Sequence, residues 1–183
     1  MPTLETDRLI IRPFVAADID AAYAVFEGHP DVWRYDPGRQ RTYEERAREI
    51  QYRIAQYARE GFGCMAVTRR SDGVLLGYCG LQTWLRATHP LASLETELFY
   101  KLGRAYWGQG YATEACRAMI AHAFTDLRLP RLVTVTAAAN AESLALLRRL
   151  GMQIVPSPTD PAEVNGILAH PLGADQTDLS PNP

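Results

Sequence analysis

The 183-residue chain has no run of about 18 apolar residues, so no segment reads as a membrane-spanning helix. It carries only three cysteines, Cys64, Cys79 and Cys116, far apart and flanked by apolar or small neighbours. None forms a C-x-x-C pair, which points to reduced core residues rather than a disulfide framework or a redox motif. The four histidines include no H-x-x-x-H pair, and no metal is expected. A strong charge of one sign is also missing. The net charge of -2 gives no reason to expect nucleic acid and is too small for a disordered acidic chain. Residues Met1–Arg8 lack the basic-then-apolar order of a signal peptide, so the expected setting is cytoplasmic.

What is present suits one globular domain: hydrophobic residues make up 47% and charged residues 22%. Leu9–Phe14 predicts a strand ended by Pro13. The spacing of Ile19, Ala22, Tyr23 and Phe26 predicts a helix over 18–26. Thr42-Tyr43-Glu44-Glu45 is a capping box, opening a helix that runs to about Glu60 before Gly61. Asp72-Gly73 between two β-rich runs predicts a hairpin of 64–68 with 74–82. A polar loop, Thr83–Ser93, leads to a strand from about Glu95 to Leu102.

Further elements follow: a helix from about Thr113 to Leu127, a β-branched strand 132–136, and a short helix from Asn140 to Leu150 capped by Gly151. A final strand pair, 152–155 with 164–168, surrounds a proline-rich turn, and 171–183 reads as a flexible tail after a single domain of 1–170. This order predicts an α/β fold: a mixed, mostly antiparallel central sheet of about six to seven strands flanked by about four helices.

The most informative stretch runs from Leu98 to Ala115. It reads as a strand, a loop with Gly108 and Gly110, and the first turn of a helix. A helix start offers backbone N–H groups without intrahelical partners and partial positive charge, and the glycines let a polyanion approach them. The ligand is not a nucleoside triphosphate held by a Walker loop, because Tyr111-Ala112 stands where that loop needs Lys-Ser/Thr. A dinucleotide fingerprint fails as well: two glycines replace three, and the preceding strands read as antiparallel.

Trp107-Gly108-Gln109-Gly110-Tyr111-Ala112 resembles the Gln/Arg-x-x-Gly-x-Gly/Ala loop of the GCN5-related N-acetyltransferases. Trp107 departs from the general pattern and resembles one branch, the Rim-type N-terminal acetyltransferases of ribosomal proteins, whose loops look like Trp-Gly-x-Gly-Tyr-Ala-Thr-Glu-Ala. Thr6-Asp7-Arg8-Leu9-x-x-Arg12, Gly77-x-x-Gly80-Leu81, Asn140-x-x-Ser143 and Leu150-Gly151-Met152 agree, so the likeness covers roughly residues 4–170.

The resemblance implies the acyl-CoA N-acyltransferase fold and an enzyme that moves an acetyl group from acetyl-coenzyme A to a primary amine by direct attack in a ternary complex. The amine belongs to a protein N-terminus or a small molecule, and the protein is a monomer or homodimer without nucleic acid, membrane or metal. Backbone groups of Gln109, Gly110, Tyr111, Ala112 and Thr113 would take the pyrophosphate. The strand ending at Leu102 would pair with the pantetheine arm where it splays from the next strand. Asn140 would bond the pantetheine or cap its helix.

The family's thiolate-protonating tyrosine is here Leu147, and Ser143 matches the branch's alternative; the other reading is an inert helix serine. Glu97 matches the branch's general base, worth roughly 10²–10⁴-fold, with Glu95 on the same face; either could instead be a solvated edge residue. An amide near Phe99 or Tyr100 would hold the oxyanion. Trp33, Tyr35, Trp84 and His89 read as loop residues near the acceptor. The alternative is a non-catalytic acyl-coenzyme A binding or sensing module, which would keep the loop and lose the acid and base.

Overall fold

A computed structural model describes residues 3–36, 39–86 and 93–171. In chain order the elements are β1 (Leu4–Glu5), β2 (Leu9–Pro13), α1 (Ile19–Glu27), α2 (Tyr43–Glu60), β3 (Cys64–Arg69), β4 (Leu75–Arg86), β5 (Ser93–Leu102), α3 (Tyr111–Thr125), β6 (Arg131–Ala137), α4 (Ala141–Arg149), β7 (Gln153–Pro156) and β8 (Glu163–Ala169). The strands form one sheet in the order β1-β2-β3-β4-β5-β6-β8-β7. All neighbours are antiparallel except β5 and β6. The mixed α/β class is as expected. The sheet has eight strands rather than six or seven, because the two-residue β1 is too short to leave a sequence pattern.

Both faces are covered, which explains why β3 is buried along nearly its whole length. Cys64 and Ala66 join Phe14, Ala22, Phe26 and Ile50 beneath α1 and α2. The alternate residues Met65 and Val67 join Leu98, Leu102, Met119, Leu146 and Leu147 beneath α3 and α4. The three cysteines are buried and free, with Cys79 and Cys116 Sγ atoms 3.9 Å apart across β4 and α3.

The expected capping box opens α2: the Glu45 N–H donates to Thr42 Oγ1, and the Thr42 N–H donates to Glu45 Oε2. Behind it, Arg46 of α2 is sealed against α1. Its guanidinium donates to Glu27 Oε1 and Glu49 Oε2, both at 2.5 Å, and lies 4.7 Å from the Phe26 ring centroid.

Two boundaries differ from expectation. β4 continues to Arg86 and β5 begins at Ser93, so both ends of the expected Thr83–Ser93 loop are strand and Trp84 lies in β4, while 87–92 lie outside the described residues. The ten-residue register from Gly77↔Leu102 to Arg86↔Ser93 is unbroken, and this pairing carries both strands into the expected loop. Helix α3 begins at Tyr111 rather than Thr113, because Gly110 itself is the N-cap, with φ 82°. His89 and the expected tail at 172–183 lie outside the described residues.

Candidate active site

Strands β5 and β6 run parallel but share a single bridge, Glu97↔Val133. Beyond it, Phe99–Leu102 and Val135–Ala137 have no ladder between them. The opening continues into the α3 N-terminus, forming one cleft lined by residues of β5, β6, α3 and α4. The splay expected between these strands is therefore present, and it follows from where the ladder stops.

At the phosphate end, Gly108 (φ 72°) and Gly110 (φ 82°) turn the chain through left-handed conformations into α3. No side chain caps this helix, and its first intrahelical bond runs from the Glu114 N–H to the Gly110 carbonyl. The N–H groups of Tyr111, Ala112 and Thr113 consequently have no acceptor within the helix. The loop is clamped from the other end of the chain. Thr6 Oγ1 and the Arg8 N–H donate to Glu114 Oε1, at 2.6 and 3.0 Å, while Arg8 Nε donates to Glu114 Oε2 at 2.6 Å. Arg8 also donates to the Gln109 carbonyl and stacks 4.6 Å from the Tyr111 ring centroid.

Of the predicted cofactor-binding residues, Leu102, Gly110, Tyr111, Ala112, Thr113 and Asn140 line the cleft. Gln109 does not: its side chain donates to the Ala105 carbonyl and its own carbonyl receives Arg8. The Leu102 carbonyl accepts from Trp107 Nε1 at 2.7 Å, so the distinctive tryptophan ties the loop to the end of β5. Asn140 is the N-cap of α4, with Oδ1 accepting from the Ser143 N–H at 3.1 Å. The capping role is thus present, and the residue still lines the cleft.

Glu97 and Ser143 both line the cleft, on different sides of β5. Gln82, directly opposite Glu97 on β4, donates to its Oε2 at 2.5 Å. Burial pushes the Glu97 pKa above the usual carboxylate range, against the pull of hydrogen bonds from Gln82 and the Val135 N–H, and the charge of Glu163 adds to the rise. Glu97 is half-buried rather than a solvated edge residue.

Glu95 shares its face but is 3% exposed and paired through both oxygens with Arg131. Its surface reading is corrected: Arg131, at the start of β6, compensates a carboxylate that the sheet buries. Glu95 does not line the cleft.

The sequence reading missed Gln82, and it missed Tyr100, whose hydroxyl lies 2.6 Å from Ser143 Oγ. Only the β4–β5 register and the approach of α4 to β5 bring these pairs together. Among the acceptor candidates Tyr35 lines the cleft. Trp33 does not: its Nε1 donates to the Phe26 carbonyl, and its ring lies 4.1 Å from Lys101 Nζ. Lys101 in turn pairs with Asp36, next to Tyr35. Among the described residues no cluster of His, Cys, Asp or Glu could hold a metal, and no helix is long and apolar enough to cross a membrane.

A sheet split between β5 and β6, with a glycine-turned helix N-terminus at the end of the split, defines an acyl-CoA N-acyltransferase fold. The chain belongs to the GNAT acetyltransferase family, whose domain matches residues 8–153. It is accordingly an N-acetyltransferase using acetyl-coenzyme A. An N-acetyltransferase of Bacillus licheniformis, p20, is 30% identical over 155 residues, covering 84% of this chain and 83% of that protein. The crystal structure of an acetyltransferase from Agrobacterium tumefaciens superposes with a TM-score of 0.74 at 28% identity, covering 92% of this chain and 94% of that one. RimL, a ribosomal L7/L12 α-N-protein acetyltransferase solved with coenzyme A, shares the fold with a TM-score of 0.72 at 17% identity, covering 92% and 98%.

Proposed function

We propose that this protein transfers the acetyl group of acetyl-coenzyme A to a primary amine, of a protein N-terminus or a small molecule, by direct attack in a ternary complex within the domain of residues 1–170. The observation that carries this reading is the cleft itself. It joins the unpartnered N–H groups of α3 to Glu97 on one side of β5 and to Ser143 on the other.

The N–H groups at Gly110–Thr113, with Gln109 holding the loop, take the pyrophosphate. The free edge of β5 down to Leu102 pairs with the amide-bearing pantetheine arm, with Asn140 on the opposite wall. Glu97 accepts the proton of the attacking amine. A carboxylate whose pKa is raised by burial is a better match for that proton than a solvated one. An amide at Phe99 or Tyr100 holds the developing oxyanion. Ser143 donates a hydrogen bond to the departing sulfur. The thiol itself has a pKa near that of cysteine, so a hydrogen bond serves where no strong acid stands. No cysteine lines the cleft, which supports direct transfer over an acyl-enzyme. The Trp107-Gly-x-Gly-Tyr-Ala-Thr-Glu loop favours a Rim-type acceptor, the α-amine of a protein, within a cytoplasmic setting.

The test is a transfer screen over N-terminal peptides and small amines with mass detection of product, run beside Glu97→Gln. The reading expects acetylated product from the wild type, and lower turnover with unchanged coenzyme A affinity from the variant. Coenzyme A binding without any acetylated product across the screen would favour a binding module instead.

A further inference from the structure

The hydroxyl pair Tyr100–Ser143 joins β5 to α4 at the wall of the cleft, which both residues line. The Tyr100 ring already packs against the core beneath α3 and α4. Leu147 occupies the place where the wider family carries its tyrosine, so α4 brings no phenol to the cleft. Strand β5 brings one, from the residue opposite Cys79, and sets its oxygen 2.6 Å from Ser143 Oγ.

We propose that Tyr100 is a positioning residue for the leaving group: it donates its proton to Ser143 Oγ, and so aims the serine's own O–H at the coenzyme A sulfur. This rests on the role given to Ser143 above. A phenol is the more acidic of the two hydroxyls and hence the better donor, and an alkyl oxygen the better acceptor. Asn140 Oδ1 holds the Ser143 backbone N–H, which fixes the base of the side chain. With the backbone tethered and the oxygen occupied by Tyr100, the serine proton is the group left to face the cleft. A donor that also accepts is polarised, which strengthens its bond to an anion.

The step balances without full proton transfer from either hydroxyl. The amine nitrogen bonds to the thioester carbon and its proton passes to Glu97. The C–S bond breaks with its electron pair on sulfur. The thiolate is held by the Ser143 O–H until it takes a proton from water. Burial raises the Tyr100 pKa, consistent with a phenol that keeps its proton while acting through the serine.

The test needs no acceptor. Coenzyme A is bound to the wild type, Tyr100→Phe, Ser143→Ala and the double variant, and its thiol is titrated by thiolate absorbance, each protein alone serving as the blank. Losing a hydrogen bond to the charged form lowers the thiolate fraction at fixed pH, by about tenfold for Ser143→Ala. Tyr100→Phe, which keeps the ring and its packing, lowers it by about threefold, as expected of lost polarisation alone. The double variant matches Ser143→Ala, because Tyr100 has nothing to act through once the serine is gone. Calorimetric coenzyme A affinity reports whether each variant still binds. A Tyr100→Phe titration equal to the wild type, beside a shifted Ser143→Ala, overturns the inference and leaves the serine's role standing. Additive shifts in the double variant overturn it too, since Tyr100 would then reach the sulfur independently. No shift in either single variant removes the serine role itself.

Discussion

Glu114 and Arg8 are joined through both carboxylate oxygens, a contact between the first turn of α3 and a residue 106 positions earlier. It gives a physical reason for two motifs about a hundred residues apart in the chain. The arginine enters beneath the glycine loop, fixes the Gln109 carbonyl and covers Tyr111, so the α3 N-terminus is held in place before any ligand arrives. Glu114→Ala should cost about 1–2 kcal/mol of stability, less than a sealed ion pair because Arg8 is half exposed. It should also weaken coenzyme A binding. Chemical denaturation and calorimetry measure the two effects.

The same contact sets a pH dependence. Burial alone would raise the Glu114 pKa. Hydrogen bonds from Thr6 and Arg8 outweigh it and hold the carboxyl below its usual range. A depressed folded value means that the stabilisation is complete above the unfolded pKa, about 4.3. It is lost as pH falls through the lower folded value. The difference in melting temperature between wild type and Glu114→Gln should therefore be constant at neutral pH and shrink below pH about 4.

For Glu97 the sign is opposite. Its pKa is raised, and the base must be ionised to act, so kcat/KM should rise with pH through a value above that of an ordinary glutamate. Gln82→Leu removes a donor to the charged form and should move that limb to still higher pH. Glu97→Gln should lower turnover by roughly 10²–10³-fold. A pH–rate series on the acceptor from the screen decides each point.

Gly110→Asp should abolish measurable coenzyme A binding while the protein still folds. The substitution places a Cβ at φ 82°, 3.3 Å from an Arg8 nitrogen, and adds a negative charge beside the α3 amides. Calorimetry against coenzyme A, with circular dichroism for the fold, tests this.

Arg46→Leu should be the most damaging of these changes to stability, at about 3–5 kcal/mol. Arg46 is 2% and Glu27 4% exposed at the side chain, so the variant strands a buried carboxylate. Equilibrium denaturation reads the loss directly.

Much of this is legible in the sequence. The Thr42 box, the Asp72-Gly73 hairpin and the Gly151 stop are local signals, and local geometry honours them. The glycine loop could be read because a helix start with no side-chain cap leaves its mark in Gly108 and Gly110. What could not be read depends on pairing at a distance. Glu95 and Glu97 are two residues apart on one face, yet Arg131 buries and neutralises the first while Gln82 holds the second towards the cleft. Nothing within ten residues of either distinguishes them. Tyr100 likewise gains its meaning only when α4 lays Ser143 across β5.

An eight-stranded sheet ordinarily has two edges, here β1 and β7. Because β5 and β6 part after a single bridge, this one has two more, facing each other inside the molecule. Bare edges are an invitation to promiscuous pairing and aggregation when they lie on the outside. Turned inward, the same unpaired amides and carbonyls can be reached only by something thin, extended and rich in peptide-like groups. A pantetheine arm lying there, as the proposed function has it, would be held by backbone groups, and the side chains of the cleft would be free to diverge with the acceptor.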